Sequence, residues 1–170
     1  QMCIRDRPGM ILVTVGSTLF PFQRMTTLVE HLIHIRPANE KIIFQYGHTP
    51  PHFLDPEIEP HAFIPHRKLI EYMRQSRVII CHGGPATIYQ ALSFGKIPWV
   101  LPRQKHYGEH LNDHQVDFAK FMANHGLIRV VTPKTSLINI VTAADSIDPI
   151  QKKNPALIRY LDTLVHQVAK

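Results

Sequence analysis

The 170-residue sequence has only two cysteines, Cys3 and Cys81, far apart and without CxxC spacing, which excludes a disulfide framework and a zinc ribbon. No apolar run approaches the length of a membrane span, and no charged start leads into a long apolar stretch, so the chain is expected in the cytosol. It carries neither GxGxxG nor GxxxxGK(S/T), which removes a dinucleotide fingerprint and a P-loop. It also lacks a DxD acidic pair of the kind that holds a metal-bound diphosphate. Its twelve histidines contain no HExxH and no paired Cys/His spacing, so no metal site and no cofactor are expected. His110 and His114, four apart, can share one helical face, where a helix-start or hydroxyl-binding role outweighs metal ligation.

Acidic residues are the minority, 13 against 19 basic ones, for a formal net charge of +6. The Lys and Arg residues are scattered and form no dense stripe with interleaved aromatics, so no nucleic-acid partner is expected. A mild positive charge suits phosphate-bearing substrates or an anionic membrane surface equally well.

What is present is an alternation of short apolar runs with helical patterns, in a length that fits one α/β domain. Residues 1–9, QMCIRDRPG, share no pattern with the rest and are expected to be a non-native or disordered leader to a domain spanning 10–170. Buried-strand runs fall at 11–15, 41–46, 61–64, 77–81, 99–101 and 128–131. Helical spacing falls at 22–35, 68–75, 85–94, 112–124, 136–143 and 155–169. Residues 49–60, with four prolines, read as a loop. Strands alternating with helices predict a doubly wound parallel sheet, Rossmann-like, with helices on both faces. In such sheets ligands bind beyond the carboxyl ends of the strands, so the residues just after each strand are the informative ones.

Three such segments stand out. In Val78-Ile79-Ile80-Cys81-His82-Gly83-Gly84-Pro85-Ala86-Thr87 a buried strand ends at His82, two glycines turn, and a helix starts at Pro85. Unpaired N–H groups and the dipole at a helix start favour an anion, glycines admit a diphosphate closely, and Thr87 adds a hydroxyl. An isolated Gly-Gly is more often a plain turn; His82 beside it shifts the balance toward function. Gly16-Ser17-Thr18 also follows a strand, a weaker signal. Residues 102–115, PRQKHYGEHLNDHQ, gather Glu109, His110, Asn112, Asp113, His114 and Gln115 at the same edge. These groups suit vicinal hydroxyls of a sugar, and equally a solvated loop running into an N-capped helix.

In this order, VTVGST, AFIPH, CHGGPATIYQAL, GKIPWVLPR and GEHLNDHQ resemble the carboxy-terminal, donor-binding domain of family 28 GT-B glycosyltransferases, those related to the peptidoglycan UDP-N-acetylglucosamine transferase. The likeness is to small stand-alone versions. These are the catalytic subunit of the two-part dolichol-linked N-acetylglucosaminyltransferase and the bacterial exopolysaccharide and capsule subunits that pair with a membrane-associated partner. The resemblance implies that the backbone at Phe63 and Ile64 lies against uracil. It implies that His82, Gly83, Gly84 and Thr87 bind diphosphate, and that Gly16, Ser17 and Thr18 line the cleft. Gln90 stands where many relatives carry a ribose-binding glutamate, a departure that leaves ribose recognition open. Glu109, His114 and Gln115 match the stretch facing the donor sugar, with Glu109 and His114 as candidate general bases. The activity implied is metal-independent, inverting transfer of a hexose from a UDP-sugar to a lipid-linked saccharide acceptor in exopolysaccharide or capsule biosynthesis. The acceptor would be held by a membrane-associated partner subunit that recruits this chain to the inner face of the membrane. The alternative is a non-catalytic nucleotide-sugar-binding regulatory subunit.

Overall fold

A computed structural model describes residues 9–53 and 55–142. The expected leader, apart from Gly9, and the expected helix over 155–169 with its Leu157, Leu161, Leu164 and Val168 stripe lie outside the described residues. The described residues form six strands and five helices, alternating except that β3 follows β2 directly: β1 (Met10–Thr14), α1 (Gln23–Ile35), β2 (Lys41–Gln45), β3 (Ile58–His61), α2 (His66–Gln75), β4 (Val78–Cys81), α3 (Pro85–Ser93), β5 (Trp99–Val100), α4 (His114–Asn124), β6 (Arg129–Val130) and α5 (Leu137–Val141). All strand pairings are parallel, in the order β3-β2-β1-β4-β5-β6. This is the doubly wound sheet expected from the sequence, with its reversal of direction between β1 and β4.

The apolar runs alternate between two covered faces, which is why they read as continuous. Ile11, Val13, Ile42, Phe44, Val78 and Ile80 pack on one face with Met25, Val29 and Leu32 of α1 and with Ile140 and Val141 of α5. Leu12, Ile43 and Ile79 pack on the other with Tyr72 and Met73 of α2 and Ala91 of α3. Cys81 and Val100 meet Ile88 and Leu92 of α3 and Ala119 and Met122 of α4. Helix α1 ends where Arg36 turns extended before Pro37, its N–H still bonded to the Leu32 carbonyl. The ring of a following proline excludes the helical conformation there.

One strand lies elsewhere than expected. The sequence predicts a strand over 61–64 after a proline-rich loop, whereas β3 runs Ile58–His61 and includes Pro60. β3 is the outermost strand and pairs only with β2, so the N–H that Pro60 lacks costs no ladder bond on its open side. Phe63 and Ile64 therefore sit in the loop beyond the strand. A 3-10 turn spans Lys105–Tyr107, within the segment that the sequence reads as a polar loop. Among the described residues no helix is long and apolar enough to cross a membrane.

Candidate functional site

Because the strands are parallel, the loops after β1, β2, β3, β4 and β5 emerge at one edge. β1 and β4 are neighbours, so Gly16 and the His82-Gly83-Gly84 turn meet at the switch in strand order. The contact is close. A Cβ on Gly16 would stand 2.6 Å from Cε1 and 2.7 Å from Nε2 of His82, and Gly16 has φ +76°, a conformation that disfavours side chains. A Cβ on Gly84 would overlap His82 Nε2 outright. Both glycines thus make room for the imidazole, which is wedged between the end of β1 and the start of α3.

His82 is 9% exposed, and its Nδ1 has no hydrogen-bond partner among the described residues. Burial pushes its pKa down to about 4, with the Arg103 and His110 charges acting in the same direction and a Thr14 backbone contact opposing them. The ring is therefore neutral at neutral pH. Beside it Gly84 caps α3 in an extended conformation and Pro85 takes the first helical position, where its missing N–H loses nothing. The N–H groups of Ala86 and Thr87 that follow have no partner within the helix, as in any first turn. The Thr87 hydroxyl is half-buried and makes no hydrogen bond among the described residues.

The loop after β5 supplies the opposite wall, and its polar groups are largely engaged with protein. Gln115, 5% exposed, accepts from Gly83 N–H at 3.1 Å and from Arg103 N–H at 3.2 Å through Oε1. Glu109, 2% exposed, grips Arg24 through Nε at 2.8 Å and Nη2 at 2.5 Å, and accepts from Gln104 N–H at 2.9 Å. The carboxylate considered from sequence as a general base is thus tied to a guanidinium. His114 is exposed, bonded to Asn112 Oδ1, and edge-on to His110 at 4.6 Å between centroids. His110 stacks on Phe20 at 5.8 Å, and its pKa is lowered by burial first, then by His114 and Arg103. Among the described residues no group of three or more His, Cys, Asp or Glu is placed to hold a metal ion.

The remaining residues singled out from sequence divide. Ser17 is exposed and Thr18 half-buried, its carbonyl 3.2 Å from His48 Nδ1. His48 meets the exposed Phe63 edge-on at 5.3 Å, so the loops after β1, β2 and β3 join into one rim. Ile64 is buried in the core against α2. Gln90 donates to Ser93 Oγ at 3.1 Å along α3, one turn beyond Thr87. Leu19, Tyr107 and Leu111 are exposed on the same rim as Phe63. A cavity of about 410 Å³ opens on the α1 side, lined by Pro21, Gln23, Arg24, Thr27, Tyr107 and Glu109; it includes none of the His82-Gly83-Gly84 turn.

Sequence reasoning missed Arg103. It is fully buried at the end of the β5 run, where an arginine after Pro102 reads as the first solvent residue. Its guanidinium bonds the carbonyls of Phe20 (3.0 Å), Pro21 (3.2 Å), Glu109 (3.1 Å) and Val15 (2.9 Å), and lies 4.4 Å over the Phe22 ring.

The family model described as the glycosyltransferase family 28 C-terminal domain matches residues 10–156. Among solved structures, MurG of Acinetobacter baumannii superposes with a TM-score of 0.62 at 18% identity, covering 95% of this chain and 50% of its own. The calicheamicin glycosyltransferase CalG4 gives 0.64 at 15% identity, with 94% and 39% covered. The glycosyltransferase VinC, solved in complex with DTDP, gives 0.57 at 18%, with 95% and 42% covered. The fold is that of the carboxy-terminal half of GT-B glycosyltransferases, and the chain spans from about two-fifths to half the length of these structures. No curated protein sequence gives a significant match.

Proposed function

The chain belongs to the family of glycosyltransferase family 28 C-terminal domains, and on that premise we propose that it binds the nucleotide-sugar donor of an inverting glycosyltransferase. The donor is a UDP-hexose, and the acceptor a lipid-linked saccharide of exopolysaccharide or capsule biosynthesis. The observation that carries this reading is the wedge of His82 between Gly16 and Gly84 at the strand-order switch, beside the open N–H groups of α3. A neutral imidazole and backbone donors take up a diphosphate without the repulsion a carboxylate would add, and they stabilise it as it departs. VinC, which shares the fold, was solved in complex with DTDP, a nucleoside diphosphate.

In the transfer step the acceptor hydroxyl attacks the anomeric carbon from the face opposite the diphosphate. The carbon–oxygen bond to UDP breaks, and a base receives the hydroxyl proton. With Glu109 bound to Arg24, His114 is the candidate left exposed on this chain. A second reading has the same observation behind it: the base comes from the partner, and this chain is a donor-binding regulatory subunit. The acceptor-binding partner docks across the open rim that carries Leu19, Phe63, Tyr107 and Leu111, where four large apolar side chains are left in solvent. It holds the complex at the inner face of the membrane. Alone, the chain leaves the donor in an open half-site with no hydroxyl aligned, and little transfer is expected.

Calorimetric titration with UDP and a set of UDP-hexoses tests the reading. Saturable binding that His82→Ala with Thr87→Ala weakens by about tenfold or more is expected, given the usual strength of charge-assisted hydrogen bonds. A folded chain that ignores every nucleotide, alone and with its partner, would sink it. His114→Ala in the reconstituted complex separates the two readings: a collapse of kcat with unchanged donor affinity assigns the base here, and unchanged kcat assigns it to the partner.

A further inference from the structure

Arg103 is the largest fully buried side chain among the described residues, yet no carboxylate bonds it. Its acceptors are the neutral carbonyls of Val15, Phe20 and Pro21 in the loop after β1 and of Glu109 in the loop after β5. The nearby Glu109 carboxylate is committed to Arg24. Two guanidiniums and one carboxylate leave the cluster one positive charge in excess. Buried arginine is ordinarily matched by an acid, and an unmatched one is costly.

This charge, without a carboxylate of its own, also lies close to the strand-order switch. The backbone N–H of Arg103 and that of Gly83 share the same Gln115 oxygen, and the Arg103 guanidinium bonds the Val15 carbonyl, next to the Gly16 against which the His82 ring packs. We infer that Arg103 is a positioning residue of the donor site that also supplies its standing positive potential, tying the loop after β1 to the loop after β5 and leaving one uncompensated charge beside the diphosphate turn. This rests on the donor-site reading above and deepens it: the ligand class favoured is a dianionic or trianionic diphosphate rather than a neutral nucleoside or sugar. The charge persists at neutral pH, since burial lowers the Arg103 pKa only to about 10, with Glu109 opposing and Arg24 adding. Its field already reaches His82, whose pKa it helps to depress.

The experiment compares UDP with uridine, which share a base and ribose and differ in charge. Arg103→Met is expected to weaken UDP by about tenfold, the scale of one partly screened charge contact, while uridine changes by less than about twofold. Arg103→Lys keeps the charge and loses the fork, so it should restore most of the UDP-over-uridine preference while lowering the melting temperature. Arg24→Gln leaves the Arg103 carbonyl bonds in place and frees Glu109 to neutralise it, so UDP should weaken by about threefold with uridine unchanged. That variant carries the test should Arg103→Met fail to fold. Equal losses for UDP and uridine in these variants would reduce Arg103 to a structural clamp and overturn the inference. A titration of His82 by NMR reads the charge without any ligand: its midpoint should rise in Arg24-intact Arg103→Met, and an unmoved midpoint overturns the inference. Should the wild-type chain bind neither uridine nor UDP, the donor-site reading fails, while the His82 titration still decides whether the charge acts on the turn.

Discussion

The two edges of the same sheet handle charge in opposite ways. At the amino edge Glu40, just before β2, holds Arg77, just before β4, through Nε at 2.8 Å and Nη2 at 2.5 Å, and Arg77 also bonds the Val141 carbonyl of α5 at 2.8 Å. The buried Glu40 carboxylate is thus met by a guanidinium, and the segments leading into β2 and β4 are fastened to α5. Lys96 serves the same edge by bonding the carbonyls of Met73 and Arg74 at 2.8 and 2.7 Å, and that of Ser76, at the end of α2. At the carboxyl edge Glu109 answers Arg24 while Arg103 has only carbonyl dipoles, and His82 keeps a buried nitrogen without a partner. Large apolar side chains are exposed there as well. Glu40 Oε2 and Trp99 Nε1 at the amino edge also lack a partner among the described residues, so the edges differ in charge balance and in exposed apolar side chains, as a ligand-binding edge of a doubly wound sheet requires.

Breaking the amino edge should have the largest effect on stability and the least on binding. Arg77→Met strands the Glu40 carboxylate, 2% exposed, and should cost about 3 kcal/mol in denaturant unfolding. The folded variant should bind UDP as the wild type does. If affinity falls with stability, the division between the edges is false.

Acid should act first on the carboxyl edge. His82, depressed to about 4 by burial and then by Arg103, takes up its proton in the unfolded chain at about 6.5. Its contribution is complete above about pH 6.5 and is lost as the pH falls through about 4, a change of up to about 3 kcal/mol. A His82→Asn variant should flatten that part of the stability–pH curve. Glu59, held down to about 2 by Lys41, Tyr72 and His61 on the outer strand, gives way in a lower window, between about pH 4.5 and 2, so calorimetric melting across pH separates them.

Gly84→Ala sharpens the comparison from the other side. Its methyl must displace the His82 ring, which should cost about 2 kcal/mol of stability and at least about tenfold in UDP affinity. An unaltered affinity would mean that the ring position does not matter to the ligand. The smallest effect is expected at Lys96→Met, about 1 kcal/mol, through the lost carbonyl bonds at the end of α2, again with binding untouched.

Much of the frame was legible in the chain. The buried runs at 11–15, 41–46 and 77–81 found β1, β2 and β4 to within a residue or so, because a strand covered on both faces must be apolar at every position. The turn at His82-Gly83-Gly84 was found for a similar reason: a strand end, two glycines and a proline are local signals. β3 was misplaced because four prolines argue against a strand unless its edge position is known. Glu109 and Gln115 were located correctly at the carboxyl edge, but their partners were not foreseeable. Acidic and amide groups in the loop after a strand look the same in sequence whether they face a ligand or, as here, bond Arg24 and Gly83.

The sequence by itself determined the alternation of strand and helix, the parallel sheet, and the loops from which a ligand site can be built, since periodicity and turn chemistry are set by neighbours along the chain. Only the tertiary structure decided which charges are matched. Arg103 meets Val15, Phe20 and Pro21 across more than eighty residues, and Arg24 reaches Glu109 across a similar span. Such pairings depend on burial and distance through space, which no local pattern records.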